Sequence, residues 1–353
     1  MARIGVMTFL HNDNYGSTLQ AWALQKTLHS LGHAAEDIDY RPGKAEKIRN
    51  LLLSGNSPKL ILEGMRKRRA SGSRPKGFKE FQAQQMKLSA PCADHTALKK
   101  QAEQYDLLMA GSDQVWSPVW LNPAYFLDFT SKPKVAYACS LGVKDMPIPR
   151  KRRRMAALMK PFRAISVRED AGADIVEKLT GSRPAVMPDP VMLVEKAQWQ
   201  QIAQRPAGEE RYILCYFIGD SPAYWQTVAE AAERMQLPVK VIPMTEAAWH
   251  SGYAAVQCAP QEWLGLIDGA EYLITDSFHG ATFAAILNRP FEVLRRYRED
   301  DPENKNSRVE QLLSTLDLPW KNESPDWQRV NDRLSGVRKQ GVEWLERAIR
   351  EAL

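Results

Sequence analysis

The chain has 353 residues, 44% of them hydrophobic and 25% charged, with a net charge of +6 at neutral pH, which is enough apolar material and length for two cored domains. No apolar run approaches the roughly 18 residues that cross a bilayer, and the chain opens on an apparent strand, not on a secretory leader. The four cysteines, Cys92, Cys139, Cys215 and Cys258, form no CxxC pair and stand at no zinc-finger spacing. The expectation is a cytoplasmic protein with reduced thiols, no bound metal and no transmembrane helix.

Taken in order, Ile4–Phe9 predicts a strand, Leu10–Ser17 a polar turn, and Thr18–Leu31 a helix with Leu19, Trp22, Ala23 and Leu28 inward and Gly32 at its end. Ala35–Tyr40 predicts a second strand. From Gly43 to Lys79 eleven Lys or Arg stand against two Glu, so this insertion carries +9 and the rest of the chain −3. Leu51–Leu53 and Leu60–Met65 lie between these charges, a composition that fits either an interfacial amphipathic helix or a solvated excursion. A second basic knot runs from Arg150 to Arg154. Nothing resembles a helix-turn-helix or an aromatic-studded basic strand, which makes nucleic acid the weakest of the possible partners.

Leu107–Ala110, Val135–Ala138 and Ala164–Val167 predict further strands, each followed by a small-residue or polar turn, and Ala171–Leu179 a helix that stops before Gly181. This alternation is the mark of a parallel sheet wrapped by helices, whose turns emerge at one edge. At Met187-Pro-Asp-Pro190 the rhythm breaks, as at a hinge. A second set follows: strands at Tyr212–Phe217, Val239–Ile242, Tyr272–Thr275 and near Phe291–Leu294, and helices at Ala223–Met235, Gln261–Ile267 and Ala281–Leu287. The charged stretch Ser324–Leu353 reads as helical, with Trp344 and Leu345 inward. The expected organisation is residues 1–187 as an N-terminal domain carrying the 43–79 insertion, 188–320 as a C-terminal domain, and 321–353 as a helical tail.

The most informative stretch is Glu271–Gly280, EYLITDSFHG, because a strand here turns into a helix and aims His279 at a helix N-terminus. Such a junction offers unpaired N–H groups and a positive dipole end to an anion. The bland reading keeps Asp276 or Ser277 as a cap and His279 as a satisfied, half-buried histidine. There is no GxGxxG, no GxxxxGK[ST], no GxSxG and no HExxH, so the usual equipment for dinucleotides, P-loop phosphates, a nucleophilic serine or catalytic zinc is missing. What remains is one histidine, the aspartates Asp13, Asp113, Asp189 and Asp276, and the arginines Arg168, Arg295, Arg296, Arg298 and Arg308. That set suits an anionic substrate together with a hydroxyl-bearing one. Trp116, Trp120, Trp249 and Trp263 read as core or domain-interface residues, although one at a turn edge could stack on a pyranose.

Asn14–Leu28 (NYGSTLQAWALQKTL), Ala110–Trp116 (AGSDQVW), Ile165–Asp170 (ISVRED), Pro188–Val194 (PDPVMLV) and Thr275–Gly280 (TDSFHG), in this order, resemble the polysaccharide pyruvyl transferase family from residue 4 to about 318. The resemblance implies an α/β, GT-B-like fold of two Rossmann-like domains facing each other across a cleft. It also implies phosphoenolpyruvate as donor, a saccharide acceptor that is often lipid-linked, no cofactor, and a place at the inner face of the cell membrane where the 43–79 insertion would touch anionic lipid. Carried over residue by residue, His279 is the acid and Asp113 the base or hydroxyl anchor. Arg168, Ser277, Gly280, Arg295 and Arg308 hold the donor, and Asn14, Tyr15 and Gln20 line the acceptor side. Ketal-forming members carry an arginine two residues before the histidine, where this chain has Ser277. The loss of such a guanidinium costs about 1.5–3 kcal/mol unless a neighbouring arginine replaces it. Two other readings stay open: a GT-B glycosyltransferase using a sugar nucleotide, and a non-catalytic glycan- or anion-binding relative.

Overall fold

The computed structural model describes residues 1–54, 77–146, 148–208, 211–297 and 306–353, side chains of 51–54 excepted. Most of the basic insertion, including Leu60–Met65, and Arg298 therefore lie outside the described residues. Two compact units are present. Among the described residues the first holds 1–54, 82–194 and 337–353, and the second holds 77–81 and 195–336.

In the first unit six strands, β1 (Arg3–Met7), β2 (Ala34–Asp37), β3 (Leu107–Ala110), β4 (Lys134–Cys139), β5 (Ala164–Val167) and β6 (Ala185–Val186), form a parallel sheet in the order β2-β1-β3-β4-β5-β6. In the second, β7 (Ile213–Tyr216), β8 (Val239–Ile242), β9 (Ala254–Ala255), β10 (Tyr272–Thr275), β11 (Phe291–Val293) and β12 (Lys321–Asn322) take the order β12-β11-β10-β7-β8-β9. Among the described residues only the β11–β12 pair is antiparallel. The central strands β3, β7 and β10 are buried at every position, as expected where helices cover both faces of a parallel sheet.

Each sheet has a place where successive connections leave in opposite directions. In the first it lies between β1, which leads on to β2, and β3; in the second it lies between β7, which leads on to β8, and β10. Ligands of open α/β sheets bind outside the carboxyl ends of the strands at this point.

One face of the first sheet is closed by the end of the chain. The helix Trp327–Ala352 packs Trp344, Leu345, Ala348 and Ile349 against Ile4, Val6, Leu107, Val135 and Tyr137. Gly341 in this helix has no room for a side chain, since a Cβ would meet Leu193, the Tyr137 hydroxyl and Pro188. In the second unit the helix Pro260–Gly269 approaches Gln204 so closely that a Cβ on Gly265 would lie 1.9 Å from the Gln204 carbonyl oxygen. Backbone cannot swing aside as a side chain can, so Gly265→Ala costs about 1–3 kcal/mol or more, visible as a lowered denaturant midpoint; an unchanged midpoint would contradict this packing.

Asp37, at the end of β2, is fully buried; its Oδ2 accepts from Gln25 Nε2 at 2.7 Å, and Oδ1 has no hydrogen-bond partner among the described residues. Burial pushes its carboxyl well above the ordinary carboxylate range, against the opposing pull of Gln25. The sign follows from proton linkage. A raised folded-state pKa gives stability that is complete below the unfolded value and erodes as pH climbs through the folded one. Asp37→Asn, which cannot ionise, is therefore expected to gain stability over wild type progressively as pH rises from 4 toward neutrality. Urea melts at several pH values test this, and a difference that does not vary with pH would refute it.

Candidate functional site

At the switch point of the first sheet, the helix Tyr15–Ser30 starts after β1 with Asn14 as its N-cap, whose side chain accepts from Ser17 N at 3.1 Å. Gln20 Nε2 donates to Thr8 Oγ1 at 2.9 Å, and Thr8 Oγ1 donates to the Ser112 carbonyl at 3.0 Å, so the ends of β1 and β3 are joined through the helix. Asp113 follows β3 with φ +72°, and Ala138 follows at the bulge of β4 with φ +48°. A side-chain-bearing residue held left-handed costs of order 1–3 kcal/mol, and such strain gathers at functional sites. The surroundings hold both in place: Ser140 N donates to the Asp113 carbonyl at 2.9 Å, and Ser166 Oγ accepts Ala138 N at 2.9 Å. The Asp113 carboxylate accepts Gln114 N at 2.8 Å on one oxygen and the Ser17 hydroxyl on the other.

Arg168 enters from the end of β5, pairs with Asp189, and lies 3.9 Å from both Asp113 and Glu169. Burial works against its charge, but Asp189, Asp113 and Glu169 overcome this and raise its pKa above the ordinary arginine value. Glu169 is itself fixed, its Oε1 accepting from Ser140 Oγ and Leu141 N at 3.0 Å and from Gly142 N at 3.3 Å. Asp189 caps the turn Pro190–Leu193 by accepting Val191 N at 3.1 Å.

The Arg168 side chain is only 2% exposed and faces three carboxylates, Asp189, Asp113 and Glu169. Tyr15 and Gln20 are fully buried. They lie beneath the turn that opens the Tyr15–Ser30 helix, with Asn14 and Asp113 nearer the surface. Asp189, expected as a hinge or cap residue, is the cap of Pro190–Leu193 and a buried counter-charge to Arg168, and the compact units divide at Val194 and Glu195.

At the switch point of the second sheet, Asp276 follows β10. Its carboxylate accepts Ile218 N at 2.7 Å, Gly219 N at 2.6 Å, the Tyr224 hydroxyl at 3.3 Å and Arg296 Nε at 2.9 Å. Arg296 Nη2 also donates to the Asp276 carbonyl at 2.8 Å. The two strand ends on either side of the switch point are thus bound through one carboxylate. Ser277 caps the helix Phe278–Leu287, its hydroxyl accepting Gly280 N at 3.3 Å, while Ser277 N donates to Thr275 Oγ1 at 3.1 Å. Gly280 must be glycine, because a Cβ would lie 2.6 Å from Thr275 Oγ1. The Ser277 hydroxyl and the Gly280 amide, expected to hold the donor, are therefore already joined to each other as a cap.

His279 is the second residue of this helix, 8% exposed, its ring edge-on to Phe278 at 5.1 Å. Of the arginines expected nearby, Arg296 is committed to Asp276 and Arg295 lies over the Trp320 ring at 4.8 Å. Arg308 sits half-buried in the first turn of the helix Ser307–Leu316. Sequence reasoning missed Ser17 as the hydroxyl on Asp113 and Glu169 as the brace of the β4 turn, although both lie inside the motifs NYGST and VRED.

Two doubly wound parallel units, each with polar groups gathered at its switch point, place the chain among GT-B-like α/β proteins. A structure described as UDP-N-acetylglucosamine 2-epimerase from Listeria monocytogenes shares this fold, with 12% identity over 97% of both chains and a TM-score of 0.50. So does S. aureus MnaA in its structure with UDP, with 11% identity over 96% of this chain and 88% of that one and a TM-score of 0.51. Comparison with curated protein sequences finds no relative. The profile of polysaccharide pyruvyl transferases matches residues 14–296, and the chain belongs to that family. It is a transferase, and pyruvyl transfer to a polysaccharide is the activity its family membership supports.

Proposed function

We propose that the protein moves a pyruvyl group from phosphoenolpyruvate to two hydroxyls of a saccharide, with His279 as general acid and no cofactor. The observation that carries this reading is the imidazole in the first turn of a helix at the switch point of the second sheet, in a chain of this family. His279 delivers a proton to the methylene carbon, which becomes the methyl group, and leaves an oxocarbenium-like centre. One acceptor hydroxyl adds to that centre, and its proton replaces the one given to the methyl group; the second displaces phosphate, which carries the other proton away, and Asp113 is assigned as base or hydroxyl anchor. Around the donor, the dipole of the Phe278–Leu287 helix favours the phosphate. Arg295 and Arg308 are the guanidiniums assigned to it in place of the arginine that Ser277 replaces. Asn14 and Asp113 are assigned to the acceptor, with Tyr15 and Gln20 beneath them.

The acceptor is assigned as a lipid-linked or cell-surface glycan precursor, and the 43–79 segment as a contact with anionic lipid at the inner membrane face. Among the described residues no helix is long and apolar enough to cross a membrane.

The test is release of inorganic phosphate from phosphoenolpyruvate that depends on a galactose- or mannosamine-bearing acceptor, with a gain of roughly 70 Da on the product, the mass a pyruvyl ketal adds. The shared GT-B-like architecture keeps one rival, a sugar-nucleotide glycosyltransferase. Protection in a melting assay by a nucleotide sugar, and none by phosphoenolpyruvate, would transfer the assignment to it. A host glycan left unchanged by His279→Ala would exclude catalysis by this histidine and favour a non-catalytic binding relative.

A further inference from the structure

Besides Met1, Ile48 and Leu353, the large hydrophobic side chains exposed among the described residues are Val119 at 39%, Trp120 at 48% and Ile148 at 48%. These three belong to one neighbourhood of the first unit. The helix Pro149–Met159 has Ile148 as its N-cap residue and packs on the turn Pro123–Phe126. Lys151 in its first turn donates to the Pro118 carbonyl at 2.8 Å, which fixes the Pro118–Trp120 loop against the helix start. Lys151, Met155 and Met159, four residues apart, form the buried stripe of the helix, and the exposed positions are Pro149, Arg150, Arg153 and Ala157. From Lys144 to Arg163 there are eight Lys or Arg and a single acid, Asp145. The basic knot of the sequence is thus a helix with a mostly apolar inner stripe and a cationic outer face, flanked by an indole and two aliphatic side chains that point into solvent.

Arginine, tryptophan and aliphatic residues at one place are the composition of a surface that sits in the headgroup region. The aliphatics enter the acyl boundary, the indole spans the interface, and the guanidiniums meet lipid phosphates. Single-stranded nucleic acid calls for several aromatics in series, and only one is present here. We propose that Val119, Trp120 and Ile148, with Arg150 and Arg153, form a docking surface for an anionic lipid bilayer. These residues are other than those of the 43–79 segment, and the inference goes beyond the chemistry assigned above. A vesicle assay reads no catalysis, so either reading can fail without the other.

The experiment is co-sedimentation of the full chain with vesicles of phosphatidylcholine containing phosphatidylglycerol, and with vesicles of phosphatidylcholine alone. Wild type is expected to bind the anionic vesicles at least ten-fold more tightly than the neutral ones. Both Val119→Ser/Trp120→Ser and Arg150→Glu/Arg153→Glu should lose at least ten-fold in that binding with unchanged melting, while Lys44→Gln/Lys47→Gln/Arg49→Gln retains the dependence on Trp120. Trp120→Phe should keep binding but lose quenching of indole fluorescence by brominated lipid. Absence of binding by wild type, wild-type binding by either of the first two variants, or quenching that survives Trp120→Phe overturns the proposal. Binding of a polyanion such as heparin that leaves the vesicles empty assigns the face to an acidic macromolecule and overturns it equally.

Discussion

His279→Gln lowers kcat for phosphoenolpyruvate-dependent transfer by about 10²–10⁴-fold, the usual contribution of a positioned general acid, while KM for the donor changes little. Glutamine preserves the size and a hydrogen-bonding end of the side chain but cannot deliver a proton at neutral pH. His279 lies in a first turn whose cap, Ser277 to Gly280, does not involve its side chain, so the variant should fold and melt as wild type does. Steady-state kinetics with a thermal melt on the same samples separates the outcomes. A kcat within a few-fold of wild type would remove His279 from the chemistry and leave the family assignment standing without this mechanism.

Asp276→Asn unsettles the whole switch point of the second sheet and costs about 3–5 kcal/mol, the loss expected when one partner of a buried ion pair is removed. Asp276 is the counter-charge of Arg296 and the acceptor for Ile218 N, Gly219 N and the Tyr224 hydroxyl. The amide can accept on one side only, which leaves a guanidinium and a backbone N–H without their acceptor in a desolvated place. Chemical denaturation followed by circular dichroism reads the effect directly. A loss below about 1 kcal/mol would show that Arg296 finds other partners and that the two strand ends are held by something else.

Much of the architecture was legible because a parallel sheet covered on both faces writes itself as short unbroken apolar runs. Leu107–Ala110, Ala164–Val167, Val239–Ile242 and Tyr272–Thr275 are strands with the predicted ends. Gly32 and Gly181 end their helices at φ +81° and +78°, as glycine there suggests. The two-residue strands Ala185–Val186, Ala254–Ala255 and Lys321–Asn322 are set by their neighbours and too short to show a period. The helix Pro149–Met159 was hidden because its inner stripe includes a lysine, Lys151, whose ammonium is spent on a carbonyl.

The candidate site was legible as motifs and not as contacts. The TDSFHG run announced a strand, a cap and a histidine at a helix N-terminus; the strand and the cap are present, and the helix begins at Phe278, three residues before the expected Ala281, which puts His279 in its first turn. What single residues could not announce is which charge answers which. Arg168 finds Asp189 across 21 positions and Asp276 finds Arg296 across 20, and no local pattern distinguishes a guanidinium meant for a ligand from one meant for a neighbouring carboxylate. The left-handed turn at Asp113 was equally silent, since aspartate there carries no glycine-like signature.

The final helix belongs to the second unit as far as Gly336 and to the first from Val337 onward. No single cut in the chain therefore yields two self-sufficient fragments. A product ending at Val194 would lack Trp344, Leu345 and Ile349, and the sheet face formed by Ile4, Val6, Leu107 and Val135 would be bared to water. Expressing the first unit alone requires grafting those closing residues back, and an N-terminal fragment made without them should aggregate instead of standing as a domain.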